Sequence, residues 1–268
     1  MPPESTSMSF SLAHFGLKEM LRSGLDLRKG AGEAATLEEL AQGVVRYFYD
    51  NCRTDDGGRE CVLVRFYKTH TFGELPADLQ AFARGSLDGA APAPDLQCLT
   101  LLATAGEKPG WNARQASHGH QAIPLASVQM VDRAPMIAEL IRAMGMDVTA
   151  VVSPAPELVR GMAGKTFNVF FVPEANGSPH IPAQDFVRDY GVRSVLGFGG
   201  VLVTGEFYSV IIFARVAIPP ESADRFRNVA LDLKLAISST ALATTFGTPS
   251  AASEEPAEPA EPAGAVVG

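Results

Sequence analysis

The segment "RSVLGFGGVLVTGEFYSVIIFARVAIPPESADRF", Arg193 to Phe226, constrains the fold more than any other part of the chain. Two runs rich in Val, Ile and Phe flank Thr204-Gly205, and a double proline, Pro219-Pro220, stops the second run. Apolar runs either side of a Gly-containing turn predict an antiparallel hairpin, with strands near 192–203 and 206–217. Strands this uniformly apolar need cover on both faces, or cover on one face and a subunit contact on the other. Beyond Pro220, the residues Phe226, Val229, Ala230, Leu233, Ala236 and Ile237 recur at helical spacing. They predict a closing amphipathic helix over 220–241. No side chain in the hairpin looks catalytic, so it reads as scaffold. "GFGG" (197–200) lies inside a strand and not between a strand and a helix. That favours a bulge or a close backbone approach over phosphate binding.

The rest of the chain supplies more helices and strands. Phe10, Ala13, Leu17, Met20 and Leu21 predict a helix over 9–22, docked on its own domain or pairing two copies. "GAGEAA" (30–35) reads as a linker. Thr36 and Glu39 form a capping box for a second helix with apolar face Leu37, Leu40, Val44, Val45 and Phe48. "ECVLVRFYK" (60–68) and "LQCLTLLATAG" (96–106) read as strands, with a short helix over 75–85 between them. Residues 107–127 read as a long polar loop, 134–145 as a helix, and 147–153 as a strand or extended connector. Residues 156–164 and 183–191 read as helices and 166–175 as a strand, with a turn-rich loop at 176–182. The organisation is then an N-terminal helix and linker (1–35), one domain (36–246) and a Pro/Ala/Glu tail (247–268). The tail is expected to be disordered, because it cannot bury enough apolar surface to offset its chain entropy. Strands in hairpins with helices at both ends predict an α+β fold.

Charge and cysteine content exclude several functions. The net charge is −8, and half of it comes from Glu254, Glu255, Glu258 and Glu261 in the tail. Without a basic face, nucleic-acid binding is disfavoured. Cys52, Cys61 and Cys98 are odd in number and form no CxxC pair, which argues against a disulfide framework or a zinc-thiolate site and for a reducing cytoplasm. "MPPESTSM" has no Lys or Arg and no long apolar run behind it, so neither a signal peptide nor a membrane span is expected. No GxSxG, Walker A, HExxH or kinase motif occurs.

The layout resembles the GAF-like sensory domains, and more finely the N-terminal input modules of bacterial PAS-containing sensor histidine kinases. "LTLLATAGEKPGWNARQASHGHQAIPL", "FNVFFVPEANGSPHIP" and "YGVRSVLGFGGVL" carry the resemblance, which spans about residues 36–241. It implies a central sheet of about six antiparallel strands, flanked by terminal and mid-chain helices. It also implies ligands on the face opposite the terminal helices, under the mid-chain loops. The chain departs from the usual setting in having no room for a PAS or kinase domain after residue 241. Any output is therefore expected from a partner, a separate histidine kinase or another protein.

Candidate site residues come from the loops. His118 and His120 lie two apart in "SHGHQ", but no third ligand completes a metal set, so no metal site is expected. Trp111 is either the plug of its loop or the wall of a pocket. Bilin-binding relatives need a specifically placed Cys that has no match here, and the two strand cysteines read as buried thiols. A ligand between the sheet and segments 107–127 and 166–182 would meet Trp111, His120, Phe171 and His180. No catalytic residue is assigned and the cofactor is unknown. The reading is a cytoplasmic, homodimeric regulatory module, without catalysis of its own, that binds a small ligand or a signalling partner. Two alternatives stand beside it: an enzyme on an α+β scaffold using His120 or His118 as general base, and a ligand-free dimeric adaptor.

Overall fold

The computed structural model describes residues 9–87, 91–117, 119–153, 167–239 and 244–247. His118, the helix expected over 156–164 and the tail from 248 onward lie outside them. Six strands form one sheet: β1 (Cys61–Thr71), β2 (Gln97–Gly106), β3 (Ala122–Pro124), β4 (Phe167–Val172), β5 (Ser194–Val201) and β6 (Phe207–Ala214). Their order is β3-β2-β1-β6-β5-β4, and every neighbouring pair is antiparallel. The fold class is α+β, as the hairpin and the bracketing helices predicted.

The hairpin β5–β6 is buried along its whole length, and helices cover both of its faces. On one face lie α1 (Leu17–Glu33), α2 (Leu37–Asn51) and, beyond a short α8 (Pro220–Asp224), α9 (Phe226–Ser239). On the other lie α4 (Val128–Asp132), α5 (Pro135–Ala143), α6 (Val148–Val152) and α7 (Gln184–Asp189). A smaller cluster forms under α3 (Ala77–Gly85), where Phe72, Leu79 and Cys98 are buried together. Aromatic rings fix the first face: Phe48 stands edge-on to Phe198 at 5.4 Å, and Phe15 stacks on Phe226 at 4.4 Å. Such pairs add roughly 0.5–1.5 kcal/mol each beyond their buried area. The buried Tyr208 hydroxyl donates to the Ala230 carbonyl at 2.7 Å and ties α9 to β6.

The glycines of "GFGG" answer to close approach. A Cβ on Gly199 would lie 2.1 Å from the Tyr208 carbonyl oxygen, and one on Gly197 would lie 2.8 Å from Leu140 Cδ1. The register of β5 runs without a bulge against both neighbours.

Several expectations are corrected. The first helix begins at Leu17, because the chain before it is held by a bridge at Phe10 and then bends and turns over 12–14. Phe10 bridges to Cys52, and the buried Glu60 carboxylate accepts from Ser11 Oγ and Leu12 N, each at 2.6 Å. The expected linker 30–35 is helical as far as Glu33. Ala31 is buried in the core while Cβ atoms on Gly30 and Gly32 would meet nothing, so packing offsets two glycines costing about 1 kcal/mol each. Residues 148–152 are helix and not strand: Asp147 Oδ1 accepts from Thr149 N at 2.7 Å, and the turn buries Val148, Ala150 and Val151. Segment 107–127 is not all loop, since it contains two 3-10 turns and β3. The capping box is half formed. Thr36 Oγ1 accepts from Glu39 N at 3.1 Å, while the Glu39 carboxylate takes Ala35 N in place of Thr36 N.

Candidate functional site

Helix α5 does not close down completely on the centre of the sheet. A cavity of about 20 Å³ lies between them, room for roughly one water molecule. Its floor is Arg65 and Tyr67 of β1, Leu99 of β2, and Ile211 and Phe213 of β6. Ala134, Met136, Ile137 and Leu140 make the roof, and His120 and Ile123 close one end. The walls are therefore aliphatic and aromatic, with two basic side chains among them.

Alternation along β1 places those groups. Leu63, Arg65 and Tyr67 point to the α5 face, whereas Val64 and Phe66 point to the terminal helices. Arg65 is 4% exposed. Nη1 donates to the Tyr67 hydroxyl at 3.3 Å and Nη2 to the Ser117 hydroxyl at 3.5 Å, both long contacts. Nε has no hydrogen-bond partner.

His120 lies where the loop rejoins the sheet: the Leu101 N–H donates to the Gln121 carbonyl at 2.8 Å. Its φ of +57° puts it in the left-handed region, and it is the one non-glycine residue there among the described residues. Such a conformation costs about 1 kcal/mol or more, and it is held here by the anchored loop. The Nδ1 atom is buried without a partner. Burial first, and then the Arg65 guanidinium beside it, hold the imidazole pKa down to about 4. The ring is therefore neutral near pH 7, where it offers one donor and one acceptor.

Only His120 of the four sequence candidates lines this cavity. Trp111 packs against Tyr190 at 4.9 Å and Phe186 at 5.7 Å, with Lys108 Nζ 5.6 Å from its ring centre, and so fastens its loop to α7. Phe171 lies one residue out of phase, with its side chain packed toward the terminal-helix core, while Phe170 faces α5. His180 is exposed and borders a shallow depression at the β4 end of the sheet together with Phe171. The described part of segment 166–182, residues 167–182, therefore does not wall the cavity. The roof comes from α5, which the sequence reading did not assign to a site. Arg65 and Tyr67 were also missed, although a basic residue in the middle of "CVLVRFYK" was the available signal. Among the described residues, no three His, Cys, Asp or Glu side chains are grouped to hold a metal ion.

An α+β domain with a single six-stranded antiparallel sheet, helices on both faces and a small cavity under the mid-chain helices is the class these features define. No family model matches the chain, and no curated protein does. Among solved structures it is similar to the phycoerythrobilin-bound GAF domain from a cyanobacterial phytochrome, with 9% identity, a TM-score of 0.40, and coverage of 84% of this chain and 97% of that one. At that level the likeness adds nothing to what the strand order and the cavity show by themselves. Among the described residues, no helix is long and apolar enough to cross a membrane.

Proposed function

We propose that this protein is a regulatory module that binds a small ligand between the sheet and α5, and does no chemistry of its own. The observation that carries the reading is His120. A strained residue with an unpartnered ring nitrogen borders a mostly apolar void beside Arg65, and backbone strain persists where surroundings hold it for use. A site of aliphatic walls with a few polar groups suits binding. A His with a pKa held near 4 is a poor general base at neutral pH, so the enzyme reading finds little support.

Output would pass through the terminal helices to a second copy of the chain, and from there to a separate protein such as a kinase. Exposed leucines on α1 and α9 support that arrangement. The three free, buried cysteines suit a reducing cytoplasm.

A thermal-shift screen of a fragment library against the wild type and Leu140→Trp tests the ligand reading. The indole would fill the void under α5. Hits are expected with the wild type and lost in the variant. A screen without hits, or hits indifferent to the substitution, overturns the reading.

A further inference from the structure

We propose that the cavity takes the anionic head of a small apolar acid, a monocarboxylate with a hydrocarbon body, and that Arg65 is its counter-ion. The inference rests on the ligand-binding reading above and names the class of ligand.

Two arginines of the chain are buried to a similar degree, and they differ in one respect. Arg114, 6% exposed, meets Glu38 at 2.9 Å and Asp78 at 2.8 Å. Arg65, 4% exposed, has no carboxylate within ion-pair distance among the described residues. Its two contacts are to neutral hydroxyls, and its Nε is vacant. A buried, unpaired guanidinium is strongly disfavoured, and Arg cannot escape by losing its proton. Among the described residues, no group of opposite charge answers it.

The neighbouring strands repeat the deficit. Thr104 is the cross-strand partner of Arg65 on β2, and Ser209 is the partner of Tyr67 on β6. Directly opposed residues point to the same face of a sheet, so both hydroxyls share the cavity side. Thr104 Oγ1 and Ser209 Oγ are buried without partners, as are Arg65 Nε and His120 Nδ1. Arg65 Nε and His120 Nδ1 belong to residues that line the cavity, and Thr104 and Ser209 stand on the same face of the sheet beside it without lining it. Buried polar groups are almost always satisfied, so a cluster of vacancies marks a site whose partner comes from outside.

The chemistry of the patch selects the head group. One guanidinium supplies a single positive charge and a planar fork that matches a carboxylate. Among the described residues no Lys lines the cavity, so Arg65 alone would leave a phosphate dianion half-neutralised. Ile137, Leu140, Ile211 and Phe213 select an apolar body. Since the void holds about one water, any carboxylic acid, acetate included, displaces α5 outward. That displacement is a route from the cavity to the surface.

Calorimetric titration of the full chain with acetate, butanoate and hexanoate, the matched amides and inorganic phosphate provides the test. The acids are expected to bind about ten- to a hundredfold more tightly than their amides, the range of one charge-assisted hydrogen-bond pair. Affinity should rise from acetate to hexanoate, and Arg65→Met should bring acid down to the level of amide. If the variant does not fold, the comparison of acid with amide on the wild type decides alone. Equal binding of acid and amide overturns the anion assignment and leaves the ligand reading standing. Tighter binding of phosphate than of any carboxylate overturns the class, and no binding by any compound overturns the inference, with the fragment screen deciding the ligand reading separately.

Discussion

Buried ionisable groups set how this protein responds to pH. His70 is 3% exposed on β1, its ring 5.3 Å from Phe246, and neither ring nitrogen has a partner. Burial first, and then the charge of Lys68, hold its pKa down to about 3. His120 is held near 4. Both folded values lie below the ordinary 6.5, so the unfolded chain binds protons that the native state refuses. Stability is therefore complete above about pH 6.5 and falls as the pH drops toward 4, with a slope approaching about 1.4 kcal/mol per pH unit for His70 and less for the more exposed His120. Denaturant unfolding at pH 7.5, 6 and 5 should show His70→Leu losing less stability than the wild type over that range. Identical pH profiles would refute the assignment to His70. Cys52, Cys61 and Cys98 are wholly buried, and burial pushes the Cys98 thiol up to about 11. Ellman's reagent should therefore label none of them until denaturant is added; rapid labelling of the native protein would show that a thiol is open. At this scale the sequence was a partial guide. His120 was named from its place in the polar loop, and the structure sets it at the cavity, where its role awaits the ligand test. Arg65 was not named, because strand propensity cannot tell a guanidinium aimed at a cavity from one that reaches solvent, and its missing carboxylate is a fact of three dimensions.

The main strands and most long helices were legible from their apolar runs and helical spacing, although the period over 9–22 misplaced the start of α1. The failures share a cause. Strand β3 has three residues, too few to show a period, and its pairing to β2 through Leu99 and Ile123 is a tertiary event. Val148–Val152 is β-branched enough to read as extended, yet the Asp147 cap and the burial of three residues settle it as helix. In α1 the glycines suggested a break that packing of Ala31 overrides. The close approaches on β5 were anticipated from "GFGG", and they predict losses of different size for two nearby glycines. On Gly199 an added methyl would collide with backbone at 2.1 Å, and a hydrogen-bonded strand cannot yield locally. Gly199→Ala should cost about 3 kcal/mol, at the upper end of ordinary overpacking. On Gly197 the collision is with the tip of Leu140, which can change rotamer, so Gly197→Ala should cost about 1 kcal/mol. Denaturant midpoints of the two variants compare these costs directly. Equal losses would mean that β5 and β6 can part more easily than their register implies.

At the level of the whole molecule, the unfinished surface is the outer side of α1 and α9. Leu17, Leu21 and Leu25 are 62%, 56% and 60% exposed, and their spacing of four puts them on one stripe. Leu231 and Leu235 of α9 are also exposed. The two helices are locked side by side, since Gly24 lies so close to Asp232 that a Cβ would strike its carboxylate, and Arg28 pairs with that same Asp232. The five leucines therefore belong to one rigid helix pair. Exposed leucines grouped on one helix pair mark a candidate contact site. The flanking charges carry both signs, with Lys18 and Arg22 beside Glu19 and Asp26, which suits an isologous pairing in which each patch meets its own copy. Deleting residues 1–30 would be a poor probe, because Phe10, Leu12 and Phe15 are part of the core and their loss would unfold the domain. Exposed side chains can be changed without that cost. Light scattering on the wild type should report a dimer, and Leu21→Glu with Leu25→Glu should report a monomer whose melting temperature, measured at equal monomer concentration, falls only by the lost association. A wild type that stays monomeric at its highest soluble concentration would remove the dimer from the proposed function. A dimer that survives both glutamates would move the contact to a different face.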